Sequence, residues 1–294
     1  MKPVTGQTQV VGVIGWPVEH SLSPHMHNRA FAALGLDWTY VPFPTPPARL
    51  DAALHGLQAL GVRGVNVIIP LKSAVIPYLD EVEPVAAQIG AVNTIVITPE
   101  RLIGHNTDWL GLGRALEEMG AQVEGARVCL LGTGGAARAA AALLAWERAT
   151  AVTIAARSPQ KAEPLTFLIQ ALTPGLPVRV VPWDEREAAV RESSLLINAT
   201  SLGMWPHGEE SPVETGWLGP GQAVYDMVYN PEPTRLVVGA RARGARAESG
   251  VSMLAHQGAA GQELWTGVPP PVAVMSEAVR EALAAAGAAG LEPG

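Results

Sequence analysis

At 294 residues, 48% hydrophobic and 16% charged, the chain has the composition of an ordered globular protein long enough for two cores. Its formal net charge of -7 argues against nucleic acid or an anionic membrane surface as partner. Cys129 is the only cysteine, which excludes a disulfide framework and a thiolate metal site; with no secretory leader or membrane span expected either, the protein is expected to be cytoplasmic.

Short apolar runs alternate with longer amphipathic ones, the pattern of βαβ units around a largely parallel sheet. Residues 10–15 read as a first strand, and Ser23 is expected to cap a helix that has Pro24 at its first position and ends at Gly35. A helix is predicted over 50–60, a strand over 65–69, and strands over 91–98 and 101–105 around the turn Thr98-Pro99-Glu100-Arg101. The next helix spans 108–119. A buried strand over 127–131 then enters a glycine turn and an alanine-rich helix. Further strands are predicted over 151–156, 178–182, 194–198 and 222–227, with helices between them, and two last helices over 251–266 and 273–286.

The turn Gly132-Thr133-Gly134-Gly135-Ala136-Ala137 fits G-x-G-x-x-A and lies between a predicted strand and a predicted helix, the context dinucleotide binding requires. Gly132 permits the tight turn, Gly134 lets the backbone approach a pyrophosphate, and the small Ala137 lets the helix pack on the strand. At the end of the next strand an NAD site would place an acidic residue for the ribose 2′-hydroxyl. This chain has Arg157 and Ser158 there, with Lys161 a turn later, which suits the 2′-phosphate of NADP.

Polar groups gather at the ends of apolar runs in the first part of the chain. Ser21 and Ser23 lie at a helix start, where hydroxyls and free N–H groups bind a carboxylate or simply cap the helix. Asn66 and Asn93 interrupt strands, where an amide ordinarily lowers stability. Lys72 and Asp108 each follow a strand, and ligands of open α/β sheets gather at such carboxyl ends. A lysine held by a carboxylate suits proton transfer to the alkoxide left by hydride addition to a ketone; from spacing alone an exposed surface pair is the readier reading. His20, His25 and His27 lack the spacing of a zinc set, so no metal is expected.

These motifs together resemble the shikimate dehydrogenase family. The resemblance runs through His20-Ser-Leu-Ser-Pro24, Asn66–Lys72, Gly90-Ala-Val-Asn-Thr94, Asn106-Thr-Asp108, the glycine turn, residues 197–204, residues 225–231 and residues 249–258. It implies a two-domain α/β fold. An open, mostly parallel substrate domain would be formed by 1–107 and 250–294, and a Rossmann-type NADP domain by 108–249. It also implies reduction of 3-dehydroshikimate to shikimate in aromatic amino-acid biosynthesis. By position, Ser21, Ser23, Asn66, Lys72, Asn93, Asp108 and Gln257 would hold the substrate, with Lys72 and Asp108 the catalytic pair. Gly132, Gly134, Gly135, Ala136, Arg157, Ser158, Thr200, Ser201, Met204 and Gly250 would contact NADP.

Two residues depart from the family pattern. Trp109 stands where glycine is common, and Ile68 replaces the threonine of N-V-T-x-P-x-K, whose hydroxyl helps bind the substrate. Ile68 therefore leaves open a quinate/shikimate dehydrogenase, or a related enzyme with altered substrate or dual NAD/NADP use. A non-catalytic dinucleotide sensor would have lost the lysine–carboxylate pair, which is present. The sequence does not set the oligomeric state, and a homodimer is compatible with it.

Overall fold

Two stretches of alternating strand and helix each close on a six-stranded sheet. The structure is a computed structural model that describes residues 3–289. The chain forms two compact units, one from the residues up to Gly111 together with those from Ala255 onward, the other from Leu112–Leu254. Residues 1–2 and 290–294 of the expected substrate domain lie outside the described residues.

In the first unit the elements are β1 (Gln9–Gly15), α1 (Ser23–Ala33), β2 (Trp38–Pro44), α2 (Leu50–Ala59), β3 (Gly64–Val67), β4 (Glu81–Val82), α3 (Pro84–Ile89), β5 (Thr94–Ile97) and β6 (Leu102–His105). The sheet order is β2-β1-β3-β5-β6-β4. β1 pairs in parallel with β2 and β3, and β4 with β6, while β5 runs antiparallel to β3 and, through the hairpin made by the short turn at 98–101, to β6. β2 falls where no strand is read from the sequence. Pro42 and Pro44 mask its pattern, and both are tolerated because β2 is an edge strand. One sheet face packs Val11, Val13, Phe31, Tyr40 and Trp265; the other packs Ile14, Leu54, Val65, Val67 and Ile95.

α4 (Asp108–Glu118) leads into the second unit, which contains β7 (Arg127–Leu131), α5 (Gly135–Trp146), β8 (Ala151–Ala156), α6 (Glu163–Leu172), β9 (Val178–Pro182), α7 (Arg186–Glu192), β10 (Leu195–Asn198), β11 (Ala223–Asp226), α8 (Arg235–Ala242) and β12 (Arg246–Glu248). Every pairing is parallel, in the order β12-β11-β10-β7-β8-β9. This is the doubly wound arrangement, with the strand order reversing between β7 and β10, where such sheets bind ligands. The last helices are α9 (Val251–Thr266) and α10 (Val272–Ala289), and α10 packs on α1. Among the described residues no helix is long and apolar enough to cross a membrane.

Candidate active site

Lys72 is carried by a turn at the end of β3. Leu71 N–H donates to the Ile68 carbonyl at 2.9 Å, Leu71 is fully buried, and the Lys72 carbonyl accepts from Val92 N–H at 2.8 Å. The backbone is thus pinned on both sides of the side chain. Asp108 is the first residue of α4, where the helix dipole favours a carboxylate. Its N–H donates to Asn106 Oδ1 at 3.0 Å, and Asn106 Nδ2 donates to the Ala91 carbonyl. The two side chains meet: Lys72 Nζ donates to Asp108 Oδ2 at 2.5 Å, with side-chain exposures of 17% and 5%. This is a sheltered pair and not a surface one, so it exists in an environment where charges are poorly screened.

Asp108 Oδ1 is held separately by Asn93 Nδ2 at 2.9 Å, so the carboxylate cannot rotate. Asn93 Nδ2 also lies 3.1 Å from Gln257 Oε1, and Asn93 Oδ1 accepts from Thr107 N–H at 2.7 Å. Lys72, Asn93, Asp108 and Gln257 therefore form one cluster. Asn66 lies beside it with all its polar atoms engaged: Oδ1 accepts from Tyr40 Oη, and Nδ2 donates to the Asn93 carbonyl and Thr94 Oγ1. At 4% exposure it is buried beside the cluster and braces its neighbours, and its oxygen keeps one lone pair beyond the Tyr40 bond.

Ser23 does not cap α1. It is the first helical residue; Leu22 takes the N-cap position without a side-chain cap, and Ser21 Oγ accepts from Ser23 N–H at 3.3 Å. The reason is local: Ser21 reaches the first free N–H across two residues, which leaves the Ser23 hydroxyl clear of the capping role.

In the second unit Gly132 has φ +103°, and a Cβ there would lie 2.9 Å from the Ala199 carbonyl oxygen, so the turn needs glycine. A Cβ on Gly134 would meet nothing within 4 Å. Gly134 is also the N-cap of the 12-residue α5 and offers no side-chain cap to the first N–H groups of the helix. An open glycine, uncapped amides and a positive dipole end fit the pyrophosphate of a dinucleotide. Arg157 and Lys161 are exposed and Ser158 half-buried at the end of β8, beside this turn. Thr200 and Ser201 follow β10, with Thr200 Cγ2 against Gly132. Met204 is exposed, whereas Gly250 is packed so closely on Met227 that a Cβ would come within 2.2 Å of its carbonyl oxygen. A pocket of about 430 Å³ lined by Gln122, Ser194, Gln222 and Arg246 opens at the opposite, N-terminal ends of these strands. It has none of the features of the glycine turn.

Comparison with known proteins places all of this in one context. The model of the shikimate dehydrogenase substrate binding domain matches residues 13–95, that of shikimate / quinate 5-dehydrogenase matches 114–204, and that of the shikimate 5′-dehydrogenase C-terminal domain matches 250–280. A shikimate dehydrogenase (NADP(+)) of Moorella thermoacetica is 50% identical over 97% of each chain. The chain belongs to the shikimate dehydrogenase family. Among solved structures of the family, a shikimate dehydrogenase in complex with NADP+ superposes with a TM-score of 0.90 at 39% identity, covering 96% of this chain and 98% of that one. The Thermus thermophilus shikimate 5-dehydrogenase in complex with NADP(H) and shikimate gives 0.84 at 38% identity, covering 93% and 99%.

Against the family pattern, Ile68 is half-buried and packs on Gly15, where a Cβ would come within 2.2 Å of Ile68 Cγ1, and on the apolar cluster of Val11, Val13 and Tyr40. The threonine hydroxyl is replaced by core packing. Several polar residues of the site were not singled out in the sequence. Thr94 bridges Asn93 and Asn66, and Thr107 accepts from Asn93 Nδ2; an isolated threonine in a strand, such as Thr94, reads as an ordinary β-former.

Asp226, at the end of β11, was likewise missed. It is fully buried, and its carboxylate accepts from Asn198 Nδ2 at 2.8 Å, Val228 N–H at 3.1 Å and Thr234 Oγ1 at 2.7 Å. Asn198 Oδ1 in turn accepts from Thr200 N–H and Oγ1, so Asp226 fixes the loop that lies on Gly132. Burial pushes the Asp226 carboxyl up to about 6 from 3.8. The folded state therefore keeps a proton that the unfolded chain releases, and this contribution to stability is lost as pH rises from about 4 to 6. Asp226→Ala strands three donors and is expected to cost on the order of 3 kcal/mol at pH 4 and less at pH 7, where the native protein no longer has the stability that the retained proton gives. Asp226→Asn keeps an acceptor for Asn198 and Val228. Relative to the native protein it is expected to gain Tm as pH rises from 4 to 7. Tm recorded for both variants at pH 4 and pH 7 checks this, and an Asn variant with a pH-independent difference would contradict it.

Proposed function

We propose that the chain is an NADP-dependent oxidoreductase that interconverts 3-dehydroshikimate and shikimate. The unit containing α1 binds the substrate, and the unit containing the glycine turn binds the dinucleotide. The observation that carries the reading is the sheltered Lys72–Asp108 pair at 2.5 Å, in a chain that matches named shikimate dehydrogenases over nearly its whole length.

NADP(H), when bound, supplies or accepts the hydride at the carbon that bears the reacting oxygen. Lys72 has three ammonium donors; Asp108 takes one, and two remain for the substrate oxygen. As the ketone oxygen gains charge, the Lys72 ammonium stabilises it and passes it a proton. In the oxidative direction the Lys72 amine takes the hydroxyl proton while hydride leaves carbon. Asp108 holds Nζ at one oxygen and is itself locked by Asn93 at the other, so the lysine is presented without reorganisation. The Ser21 and Ser23 hydroxyls at the start of α1 bind the substrate carboxylate, aided by the helix N-terminus. Arg157, Ser158 and Lys161 bind the 2′-phosphate, while Thr200, Ser201, Met204 and Gly250 line the nicotinamide side.

Ile68 supports a second reading, a preference for quinate or another cyclic hydroxy acid, because the substrate group that meets threonine elsewhere would meet a hydrocarbon here. A site that leaves one hydroxyl unpaired loses on the order of 1–3 kcal/mol toward that substrate. Both readings are separated by kcat/KM for shikimate and quinate, each with NADP+ and NAD+. The shikimate/NADP+ combination is expected to be the highest of the four. A higher value for quinate would establish the second reading, and no cofactor reduction across alkaline pH would remove both.

A further inference from the structure

His27 on α1 is fully buried and stacks on Tyr40, with ring centroids 4.3 Å apart and planes 5° from parallel. Burial pushes its pKa down to about 4, so at neutral pH the ring carries one proton on one nitrogen. Nδ1 faces Gln262 Oε1 at 2.9 Å, and both His27 Nε2 and Gln262 Nε2 are buried without a hydrogen-bond partner. Two orphaned polar nitrogens in contacting side chains are costly, and amide oxygen and nitrogen exchange places on a half-turn of the side chain. Turning the Gln262 amide lets its N–H donate to Nδ1, which puts the ring proton on Nε2. Besides Gln262, Asn66 is the side chain that acts on the ring as a hydrogen-bonding neighbour. One carbonyl oxygen is then left under-satisfied in place of two nitrogens, the milder defect.

The rest of the network agrees with this choice. Asn66 Nδ2 donates to Thr94 Oγ1 at 3.0 Å, Thr94 Oγ1 donates to Asn93 Oδ1 at 3.2 Å, and Asn93 Nδ2 donates to Asp108 Oδ1 at 2.9 Å. With Nε2 protonated, every donor from Gln262 to Asp108 points the same way, toward the carboxylate that holds Lys72. Hydrogen bonds aligned in this manner polarise and strengthen one another. With Nδ1 protonated the chain breaks at His27, because Nε2 then has no proton to donate. Close approach of α9 makes the network possible: a Cβ on Gly258 would lie 3.2 Å from His27 Nε2, and one on Gly261 3.3 Å from Asn66 Nδ2.

We infer that His27 is a positioning residue of this site: as the Nε2–H tautomer it donates to Asn66 and, through Thr94 and Asn93, holds Asp108 in register with Lys72. The inference rests on the dehydrogenase reading only for its kinetic consequence. The tautomer is read directly from long-range ¹H–¹⁵N spectra of the ¹⁵N-labelled native protein. A protonated Nε2 with a bare Nδ1 is expected, and the reverse pattern overturns the inference whether or not the protein is active. For the kinetics, His27→Phe keeps a stacking ring and loses the donor, while His27→Gln places an amide N–H where Nε2–H was. We expect His27→Phe to lower kcat by on the order of tenfold, with KM for both substrates changed less than about threefold, and His27→Gln to restore most of the loss. A folded His27→Phe with native kcat overturns the inference, as does a His27→Gln no better than His27→Phe. If His27→Phe does not fold, the tautomer together with Gln262→Met decides: that variant removes the donor to Nδ1 and is expected to lower kcat in the same way, and native kcat in it overturns the inference. Absence of shikimate oxidation by the native protein would instead remove the proposed function and leave the tautomer result standing.

Discussion

Lys72→Ala is expected to lower kcat for shikimate oxidation by about 10²–10⁴-fold, the range typical of a positioned proton-transfer group. KM should move far less, because the proposed substrate contacts of Ser21, Ser23 and Gln257 are left intact. The physical basis is the divided grip on Asp108, with one oxygen on Lys72 and the other on Asn93. Losing the lysine leaves Asp108 in place but unpaired at 5% exposure. Breaking a buried pair costs about 3–5 kcal/mol, and the partial exposure of Lys72 puts this case at the low end. A fall in Tm should therefore accompany the kinetic loss. Lys72→Met, which keeps the hydrocarbon stem, separates packing from chemistry and is expected to be equally inactive. Steady-state kinetics with a melting curve for each variant checks the prediction, and a turnover near the native value in either would take Lys72 out of the chemistry.

Arg157→Ala is expected to raise KM for NADP+ by about 10–100-fold while leaving NAD+ nearly unchanged. A guanidinium on a phosphate is a charge-assisted, often bidentate contact worth about 1.5–3 kcal/mol, and each 1.4 kcal/mol is about tenfold. Ser158 and Lys161 remain near the end of β8, so preference is reduced and not abolished. Arg157→Lys should recover only part of the loss, because an ammonium keeps the charge and loses the fork. The ratio of kcat/KM for NADP+ over NAD+ is the quantity to follow. An unchanged ratio would assign the 2′-phosphate to other groups.

How much could be read beforehand depends on how local each signal is. The glycine turn was legible because strand, tight turn and helix start are contiguous, and each small residue answers a steric demand met within a few residues. Five of the six strands of the second unit were read to within a residue, since each is a short aliphatic run bounded by turn residues, whereas the three-residue edge strand β12, Arg246–Glu248, carries no such run. β2 was not, because its prolines break the pattern that only an edge position tolerates. Ser23 has the residue type of an N-cap, yet Ser21 accepts the N–H that a cap would take.

By itself the sequence determined the fold class, the family through its ordered motifs, and the identities of the lysine, carboxylate and amides available for chemistry. Which of them meet was a matter for the tertiary structure. Spacing alone favoured a surface pair over a catalytic one for Lys72 and Asp108. They meet because β3 and β6 flank β5 in one sheet and deliver both residues beside Asn93, sheltered from water. Asn66, expected as a ligand, is buried beside the cluster and bonded to Tyr40, Asn93 and Thr94. His27 and Gln262 lie 235 positions apart and were silent in the sequence, because a hydrogen bond between helices depends on how closely their backbones pack. Local sterics write themselves into neighbouring residues, whereas the orientation of a buried polar group is set by partners that only folding brings near.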